Sequence, residues 1–205
     1  MQLQNPVGVV TTTLDGPVLA VLGRAERAFS GRQVHRLAAV GTEQGVRAAL
    51  ERLVKQGVVV RTRAGQAYLY ELNQEHLAAP YLVGLAKLRD ELFARWSDHI
   101  AQWPVQPRVV VLFGSAARGE MRVDSDIDLL VVTDDEGDDF DEPLHRLMAD
   151  TSAWTGNDTR VLHIRASQVS HDEPALVAAA DEGITIAGDL LWLRRALRKQ
   201  RSLVG

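Results

Sequence analysis

The chain has 205 residues, of which 46% are hydrophobic, so it is long enough for one large or two small cores. It contains no cysteine, which excludes disulfides and thiolate metal sites and fits a reducing compartment. The net charge of −4 is unevenly spread, with +4 on residues 1–73, −12 on 104–190 and +5 on 191–205, so any nucleic-acid contact is expected outside the acidic centre.

Targeting and membrane segments are not evident in the sequence. The N-terminus lacks a basic start followed by an apolar core, and no uninterrupted apolar run reaches about 18 residues. The sequence therefore predicts a soluble cytoplasmic protein without a membrane partner.

The N-terminal part begins with three segments of helical periodicity. The first carries apolar residues at helical spacing within residues 17–26. Ser30 is placed to cap a second helix, which Gly41 breaks. Thr42 is placed to cap a third helix, which Gly57 stops.

A predicted hairpin follows the three helices. Residues 58–62 and 66–72 have the composition of strands, and a turn containing glycine joins them. Three short helices and a two-stranded hairpin resemble a winged helix-turn-helix domain, in which the third helix enters the major groove and the hairpin touches the DNA backbone. The resemblance implies a DNA-contacting set on the third helix and the hairpin: Thr42, Glu43, Gln44, Arg47, Arg52, Arg61 and Arg63.

Two other uses of this segment stay open. Many winged helices dock proteins or form dimers, and a solvated basic helix face is common. The charge of +4 on residues 1–73 is modest for a DNA-binding domain.

Residues 74–103 are predicted to be a connector. Pro80 can open a helix, and apolar residues then recur at helical spacing up to Trp103, which indicates one helix of about twenty residues. We expect the apolar stripe to pack on the domain that follows. A homodimer seam is the rival use of the same stripe.

The stretch VVVLFGSAARGEMRVDSDIDLLVV, residues 109–132, carries the chemistry. The apolar runs 109–113 and 127–132 have the composition of buried strands. Asp126 and Asp128 lie at the entrance of the second run, and residues two apart on a strand point to the same side. Two like charges held together favour a divalent metal, so the pattern predicts a magnesium site.

The residues between these two strands suit a phosphate ligand. Gly114 lets a backbone approach a ligand without a Cβ in the way. Ser115 offers a hydroxyl and an amide where a helix is expected to start, and Arg118 adds a guanidinium fork for phosphate oxygens.

This arrangement resembles the minimal nucleotidyltransferases of the DNA polymerase β superfamily. Their pattern is an apolar strand, Gly-Ser, an Ala-Arg-Gly turn and Ser-Asp-x-Asp-Leu at the next strand. The resemblance implies transfer of a nucleoside monophosphate from a nucleoside triphosphate, with ATP as the expected donor and Mg²⁺ or Mn²⁺ held by the catalytic residues Asp126 and Asp128. The alternative is a surface turn whose acidic residues are solvated strand ends.

A third strand is expected from Thr159 to Ile164. In the resembled family this strand carries a third carboxylate, which helps to deprotonate the attacking hydroxyl or holds a second metal. Arg160 occupies the matching position here, and this departure affects catalysis more directly than nucleotide binding. Arg160 could neutralise the Asp pair or hold triphosphate, whereas Asp158 or His163 could supply a base.

The six histidines show no close ligand spacing, so zinc is not predicted, and an ordinary core or surface role is the alternative for His163.

Residues 133–142 hold seven carboxylates; a run this dense is typical of a solvated, mobile loop, with metal binding as the alternative. The C-terminal helix ends in basic residues that could bind nucleic acid or an acidic partner, or simply suit the helix dipole.

Together these patterns predict an α/β (α+β) nucleotidyltransferase fold with a small mixed sheet at residues 104–205, behind an N-terminal winged helix-turn-helix domain at residues 1–73. The leading hypothesis is transfer to a protein or RNA hydroxyl. The nucleotide would be bound by Gly114, Ser115, Arg118 and Arg160. Small proteins of the resembled family often act as the antitoxin beside a toxin, which implies a toxin-like partner. The alternative is a DNA-binding transcriptional regulator whose transferase-like domain senses nucleotide without turnover.

Overall fold

The computed structural model of the chain describes residues 1–134 and 140–201. The chain divides into two units, Met1–Asp90 and Glu91–Gly205. Most of the predicted acidic loop, residues 135–139, lies outside the described residues, and so do residues 202–205.

The first unit combines four helices with a small sheet. The helices are α1 (Asp15–Gly23), α2 (Gly31–Ala38), α3 (Glu43–Lys55) and α4 (Ala79–Ala86), and the strands are β1 (Phe29–Ser30), β2 (Val59–Ala64) and β3 (Ala67–Leu72). A short 3₁₀ helix, Pro6–Val9, precedes α1. The sheet is antiparallel in the order β1-β3-β2, so β2 and β3 form the predicted hairpin and β1 adds a third strand.

The two predicted helix caps of the first unit are confirmed. The Ser30 hydroxyl accepts a hydrogen bond from the Gln33 amide, and the Gln33 side chain accepts one from the Ser30 amide, which makes a capping box. The Thr42 hydroxyl accepts a hydrogen bond from the Gly45 amide at 3.1 Å. Helix α2 ends before Gly41, because Ala39 already adopts a left-handed backbone with φ of 54°.

The core of the first unit is formed by one face of each of its elements. Leu22 of α1, Val34 of α2, Leu50 of α3 and Tyr70 of β3 are all buried in one cluster. Burial of this face of α3 leaves the opposite face in solvent, as its 3.6-residue period requires.

The predicted single connector helix is two helices in the structure. Helix α4 ends at Ala86, and α5 (Leu88–Ala101) begins two residues later. The Lys87 amide donates to both the Val83 and Gly84 carbonyls, so the last turn of α4 tightens toward 3₁₀ geometry and the α-helical ladder is interrupted.

The second unit is built around a four-stranded mixed sheet. Its strands are β4 (Val109–Phe113), β5 (Ile127–Thr133), β6 (Thr159–Arg165) and β7 (Ile184–Gly188), in the order β6-β5-β4-β7. Its further helices are α6 (Gly114–Arg118), α7 (Asp141–Thr155), α8 (Pro174–Glu182) and α9 (Leu190–Arg201), with a 3₁₀ turn at Ala166–Gln168. Strand β4 is antiparallel to β5 and β7, whereas β5 and β6 are parallel and joined through α7. The expectation of a small mixed sheet is confirmed.

Helices cover this sheet and bury its two central strands, β4 and β5. Helices α8 and α9 pack on β4 and β5 through a cluster that includes Val111, Leu130, Leu176 and Leu193. The predicted apolar stripe of α5 is buried, and the Trp96 indole donates to the Thr151 hydroxyl of α7 at 2.8 Å. Among the described residues, no helix combines the length and the apolar character needed to cross a membrane.

Candidate active site

The two carboxylates of the central motif lie at the edge where β5 begins. Asp126 immediately precedes β5, and Asp128 is its second residue. The antiparallel register pairs Asp128 with Phe113, so the end of β4 and the following Gly114 lie beside the Asp128 side chain. Adjacent ends of two buried strands therefore fix the position of the pair.

Gly114 touches the carboxylate of Asp128. Its φ is +68°, and a Cβ built on it would stand 2.8 Å from Asp128 Oδ2. A side chain at this position would be strained by the backbone and would also displace the carboxylate. The sequence predicted a close approach to a ligand; the structure shows a close approach to the acidic pair itself.

The Asp128 carboxyl is in an unfavourable place for a negative charge. Burial raises its pKa most, the neighbouring Asp126 charge raises it further, and the positive charge of Arg160 opposes both effects. A cation placed between the two carboxylates would relieve the first two effects at once.

Arg160 is the cationic member of the site. Parallel pairing of β5 with β6 makes Arg160 the Cα partner of Asp128, and its guanidinium Nη2 lies 2.7 Å from Asp126 Oδ2. Of the two alternative bases, His163 lies farther along β6, with Nε2 3.0 Å from the Thr133 hydroxyl, so the structure does not bring it to the Asp pair. Asp158 is exposed, and its carbonyl accepts a hydrogen bond from the Ile127 amide.

The predicted phosphate-binding turn forms the short helix α6. Ser115 lies in its first turn, and the Ser115 carbonyl accepts hydrogen bonds from the Gly119 and Glu120 amides, which closes the turn. Arg118 lies at the other end of α6 and pairs with Glu120 at 2.9 Å and with Glu182 at 3.0 Å. Phosphate binding by Arg118 therefore requires exchange of these carboxylates for phosphate oxygens.

Asn157 supports the site, although no sequence pattern assigned it a role there. Its side chain is buried, and its Nδ2 donates to the Ser125 carbonyl at 2.8 Å. The Ser125 hydroxyl in turn accepts from the Arg122 amide at 2.8 Å. These bonds hold the loop that delivers Asp126, and no sequence signal links positions 32 residues apart.

The donor set fits a divalent cation that arrives with phosphate. Among the described residues, no group of three or more His, Cys, Asp or Glu side chains could hold a metal by itself. Mg²⁺ is commonly bound by one or two carboxylates together with substrate phosphates and water. Asp126 and Asp128 meet that requirement.

Several of the predicted DNA-contacting residues of the first unit already form contacts within the protein. The Thr42 hydroxyl is used as the α3 cap, and Arg52 pairs with Asp15 at 2.6 Å. Arg61 donates to both carboxylate oxygens of Glu51, at 2.9 and 3.0 Å, and lies over the Tyr68 ring.

Other members of that set lie closer together. Arg63 donates to the Gly65 carbonyl within the hairpin. Gln44 and Arg47, both exposed on α3, share a concavity of about 540 Å³ with Arg32 and Tyr68. This concavity, between α3 and the hairpin, is also lined by Glu43, so it brings together three members of the predicted set.

A larger cavity lies elsewhere in the second unit. It has a volume of about 770 Å³, lies along α5 and α7, and is lined in part by His99, Trp103, Asp150 and Trp154. Neither carboxylate of the acidic pair lines it, so the candidate active site at the sheet edge is separate from this cavity.

Two segments match families of known proteins. Residues 98–174 match the family model described as polymerase beta, nucleotidyltransferase, and this segment contains Gly114, both carboxylates and Arg160. This match supports the nucleotidyltransferase class of enzymes. Residues 23–76 match the model described as PaaX-like protein. No curated protein matches the chain.

Solved structures of toxin–antitoxin complexes are among those similar to the chain. One was crystallised with AMP-PNP and has 14% identity, a TM-score of 0.40, and coverage of 56% of this chain and 86% of that chain. A second, the MntA-HepT complex, has 13% identity and a TM-score of 0.38, with coverage of 56% and 86%. A third, of a tri-AMPylated Shewanella oneidensis HEPN toxin with MNT antitoxin, has 14% identity and a TM-score of 0.37, with coverage of 56% and 85%. TM-scores this low do not establish a shared fold.

Proposed function

We propose that the chain is a metal-dependent nucleotidyltransferase that moves a nucleoside monophosphate from a nucleoside triphosphate, preferably ATP, to a hydroxyl group. The observation that carries this proposal is the acidic pair at the start of β5, packed against Gly114 and faced by Arg160. The nucleotidyltransferase class of residues 98–174 supports it.

The reaction needs a nucleophile, a leaving group and a proton acceptor. The acceptor hydroxyl oxygen bonds to the α-phosphorus, the bond from that phosphorus to the β-phosphate oxygen breaks, and pyrophosphate leaves with the electron pair. The hydroxyl proton passes to solvent water, because Asp126 and Asp128 are both assigned to the cation. A divalent cation held by Asp126 and Asp128 would neutralise triphosphate charge and stabilise the leaving group.

The phosphate-binding groups are proposed to surround this pair. Gly114 and Ser115 offer backbone at the end of β4, and Arg160 offers an exposed guanidinium. Arg118 joins them after releasing Glu120 and Glu182. We propose a protein or RNA hydroxyl as the acceptor. We also propose a toxin-like partner protein, which the resemblance to minimal nucleotidyltransferases implies.

The direct test is transfer of label. The protein is incubated with Mg²⁺, each of the four α-labelled nucleoside triphosphates and a cell lysate as the acceptor source. We expect label on one acceptor with the parent protein and none with the Asp126→Ala, Asp128→Ala double variant. Asp124→Ala, which removes an exposed carboxylate from the same loop, is the matched control and should transfer as the parent does.

A second candidate function, from another class, is a DNA-binding regulator that senses nucleotide without turnover. Arg160 favours it, because an arginine beside the acidic pair can bind triphosphate but supplies no base. We propose a winged helix-turn-helix domain in the first unit, supported by α1 to α3, the β2–β3 hairpin and the PaaX-like match.

The test of this second function measures the affinity of the protein for duplex DNA sequences selected from a random library. Arg47→Ala is expected to weaken binding about tenfold, because Arg47 lies in the concavity between α3 and the hairpin. Arg27→Ala serves as the control, since Arg27 is exposed but lies outside the predicted DNA-contacting set. Triphosphate binding that needs the Asp pair and changes DNA affinity, without label transfer, would establish this function in place of the enzyme.

A further inference from the structure

Arg160 and the acidic pair form a three-charge cluster whose geometry follows from strand register. The parallel pairing of β5 and β6 places Arg160 opposite Asp128, and Asp126 precedes Asp128 by two residues. The three side chains therefore leave one face of the sheet, and the guanidinium reaches Asp126 Oδ2 at 2.7 Å.

The contact is of a kind that exchanges readily. The Arg160 side chain is 73% exposed, whereas that of Asp126 is 24% exposed. Water competes for an exposed guanidinium, so the ion pair contributes little net stability, and a new anion can replace Asp126 without disturbing buried structure.

Arg160 forms an ion pair with only one member of the pair, Asp126. Asp128 Oδ2 lies against Gly114, and the ion pairs among the described residues do not include Asp128. A free divalent ion entering the cluster would meet one uncommitted carboxylate and a guanidinium of the same charge as itself. No third carboxylate or histidine joins the pair within the described part of the chain.

A bound triphosphate removes both obstacles to the divalent ion, the shortage of ligands and the competing charge of Arg160. Its oxygens supply the ligands that the ion needs in addition to the two carboxylates. They also offer Arg160 a planar anionic partner, which a guanidinium binds through two parallel hydrogen bonds. Release of Asp126 by Arg160 and capture of the ion by Asp126 then occur together.

We propose that Arg160 is the counter-cation that makes this site bind a divalent ion only together with a triphosphate. Arg160 holds Asp126 when nucleotide is absent and holds the triphosphate when nucleotide is present. It is a positioning residue that prevents occupation by the metal alone. This inference rests on the proposed nucleotide site.

The test measures Mn²⁺ binding to the full chain by the electron paramagnetic resonance of the free ion. Affinities are determined with and without a triphosphate whose α–β bridge cannot be cleaved. Binding that survives in the Asp126→Asn, Asp128→Asn double variant is subtracted, because other acidic residues also bind Mn²⁺.

Arg160→Gln is expected to change the two affinities in opposite directions. Binding of Mn²⁺ alone should tighten about tenfold, because a competing charge is removed, and binding of the Mn²⁺–triphosphate complex should weaken about tenfold. Arg160→Lys should stay within about threefold of the parent for Mn²⁺ alone, because it keeps the charge, and should still weaken the complex, because it lacks the planar fork. Arg146→Gln, an exposed arginine paired with Glu142, is the matched control and should change neither affinity.

Two results would overturn the inference, and they differ in what they say of the enzyme. If Arg160→Gln leaves both affinities unchanged while the double Asp variant loses them, Arg160 has no such role and the proposed site stands. If the double Asp variant retains both affinities, the acidic pair is not the metal site, and both the inference and the proposed function fail.

Discussion

Gly114 and Asp128 are in direct contact across the β4–β5 edge, where a Cβ on Gly114 would stand 2.8 Å from the Asp128 carboxylate. Gly114→Ala is therefore expected to displace Asp128 and to abolish binding of the Mn²⁺–triphosphate complex. The left-handed backbone, with φ of +68°, adds a loss of about 1–2 kcal/mol in the free energy of unfolding. Urea denaturation measures the loss of stability. Titration of Mn²⁺, followed by electron paramagnetic resonance, measures the loss of binding.

Gly156→Ala separates backbone strain from the contact. Gly156 has φ of +71°, and a Cβ on it would meet nothing within 4 Å. The substitution should lower the free energy of unfolding by a similar amount and leave the affinity for the complex unchanged. Equal loss of affinity in both variants would show that strain in the unit, rather than the Gly114–Asp128 contact, is responsible.

Asp128→Asn is expected to stabilise the fold while it removes activity. The substitution takes a half-buried charge away from Asp126, and the free energy of unfolding should rise by about 0.5–1 kcal/mol at pH 7. Asp124→Asn, at an exposed position in the preceding loop, should leave stability unchanged. If Asp128→Asn is less stable than the parent, the charge of Asp128 beside Asp126 does not destabilise the fold.

Asn157→Ala should loosen the loop that delivers Asp126. The variant leaves the Ser125 carbonyl without the hydrogen bond from Asn157, so we expect about 1–2 kcal/mol less stability together with weaker triphosphate binding. Thr133→Val is the control, because it breaks a part-buried hydrogen bond to His163 at the other end of β5. It should lower stability while triphosphate affinity, measured by titration, is retained.

The Trp96–Thr151 hydrogen bond should couple α5 to α7 in the second unit. Trp96 is fully buried, so Trp96→Phe both opens a small cavity and leaves the Thr151 hydroxyl unpaired, at a loss of about 2–3 kcal/mol. A double-mutant cycle with Thr151→Val measures the bond itself, and we expect a coupling energy of about 1 kcal/mol. Additive losses would mean that packing alone is lost.

Stability should fall as the pH drops below about 6.5, the ordinary pKa of histidine. Burial lowers the pKa of His99 and of His163; Arg146 adds to the effect at His99 and Arg165 at His163, whereas Asp150 and Asp141 oppose it. The unfolded chain then binds more protons than the folded chain between the lowered and ordinary values. The stabilisation is complete above that window and is lost through it as pH falls.

Denaturant unfolding at pH 7.5 and pH 5.5 checks this dependence. The His99→Gln, His163→Gln double variant should show a smaller difference in the free energy of unfolding between the two pH values than the parent. The exposed His145→Gln should behave as the parent does. An unchanged difference in the double variant would place the pH dependence in other groups.

Local patterns in the sequence were sufficient for the parts of the site that depend on neighbours in the chain. The spacing of Asp126 and Asp128 predicted that they share a face, whereas the neighbour of Gly114 in the structure is Asp128 and not the ligand that the sequence predicted. Caps at Ser30 and Thr42 were equally local, because each involves a residue three positions away. Strand and helix periods depend on the same short range, so α1 to α3, the β2–β3 hairpin and the strands β4 to β6 could be predicted, whereas β1 and the division of the connector into α4 and α5 were not.

Only the tertiary structure decided which distant residues meet at the site. Strand order and register bring Arg160 into an ion pair with Asp126. The packing of α6 and α8 brings Glu182 into an ion pair with Arg118, 64 residues away. Asn157 reaches Ser125 for the same reason, across 32 residues. These contacts depend on how buried side chains fit between elements, a property of the assembled sheet and helices that no local period contains.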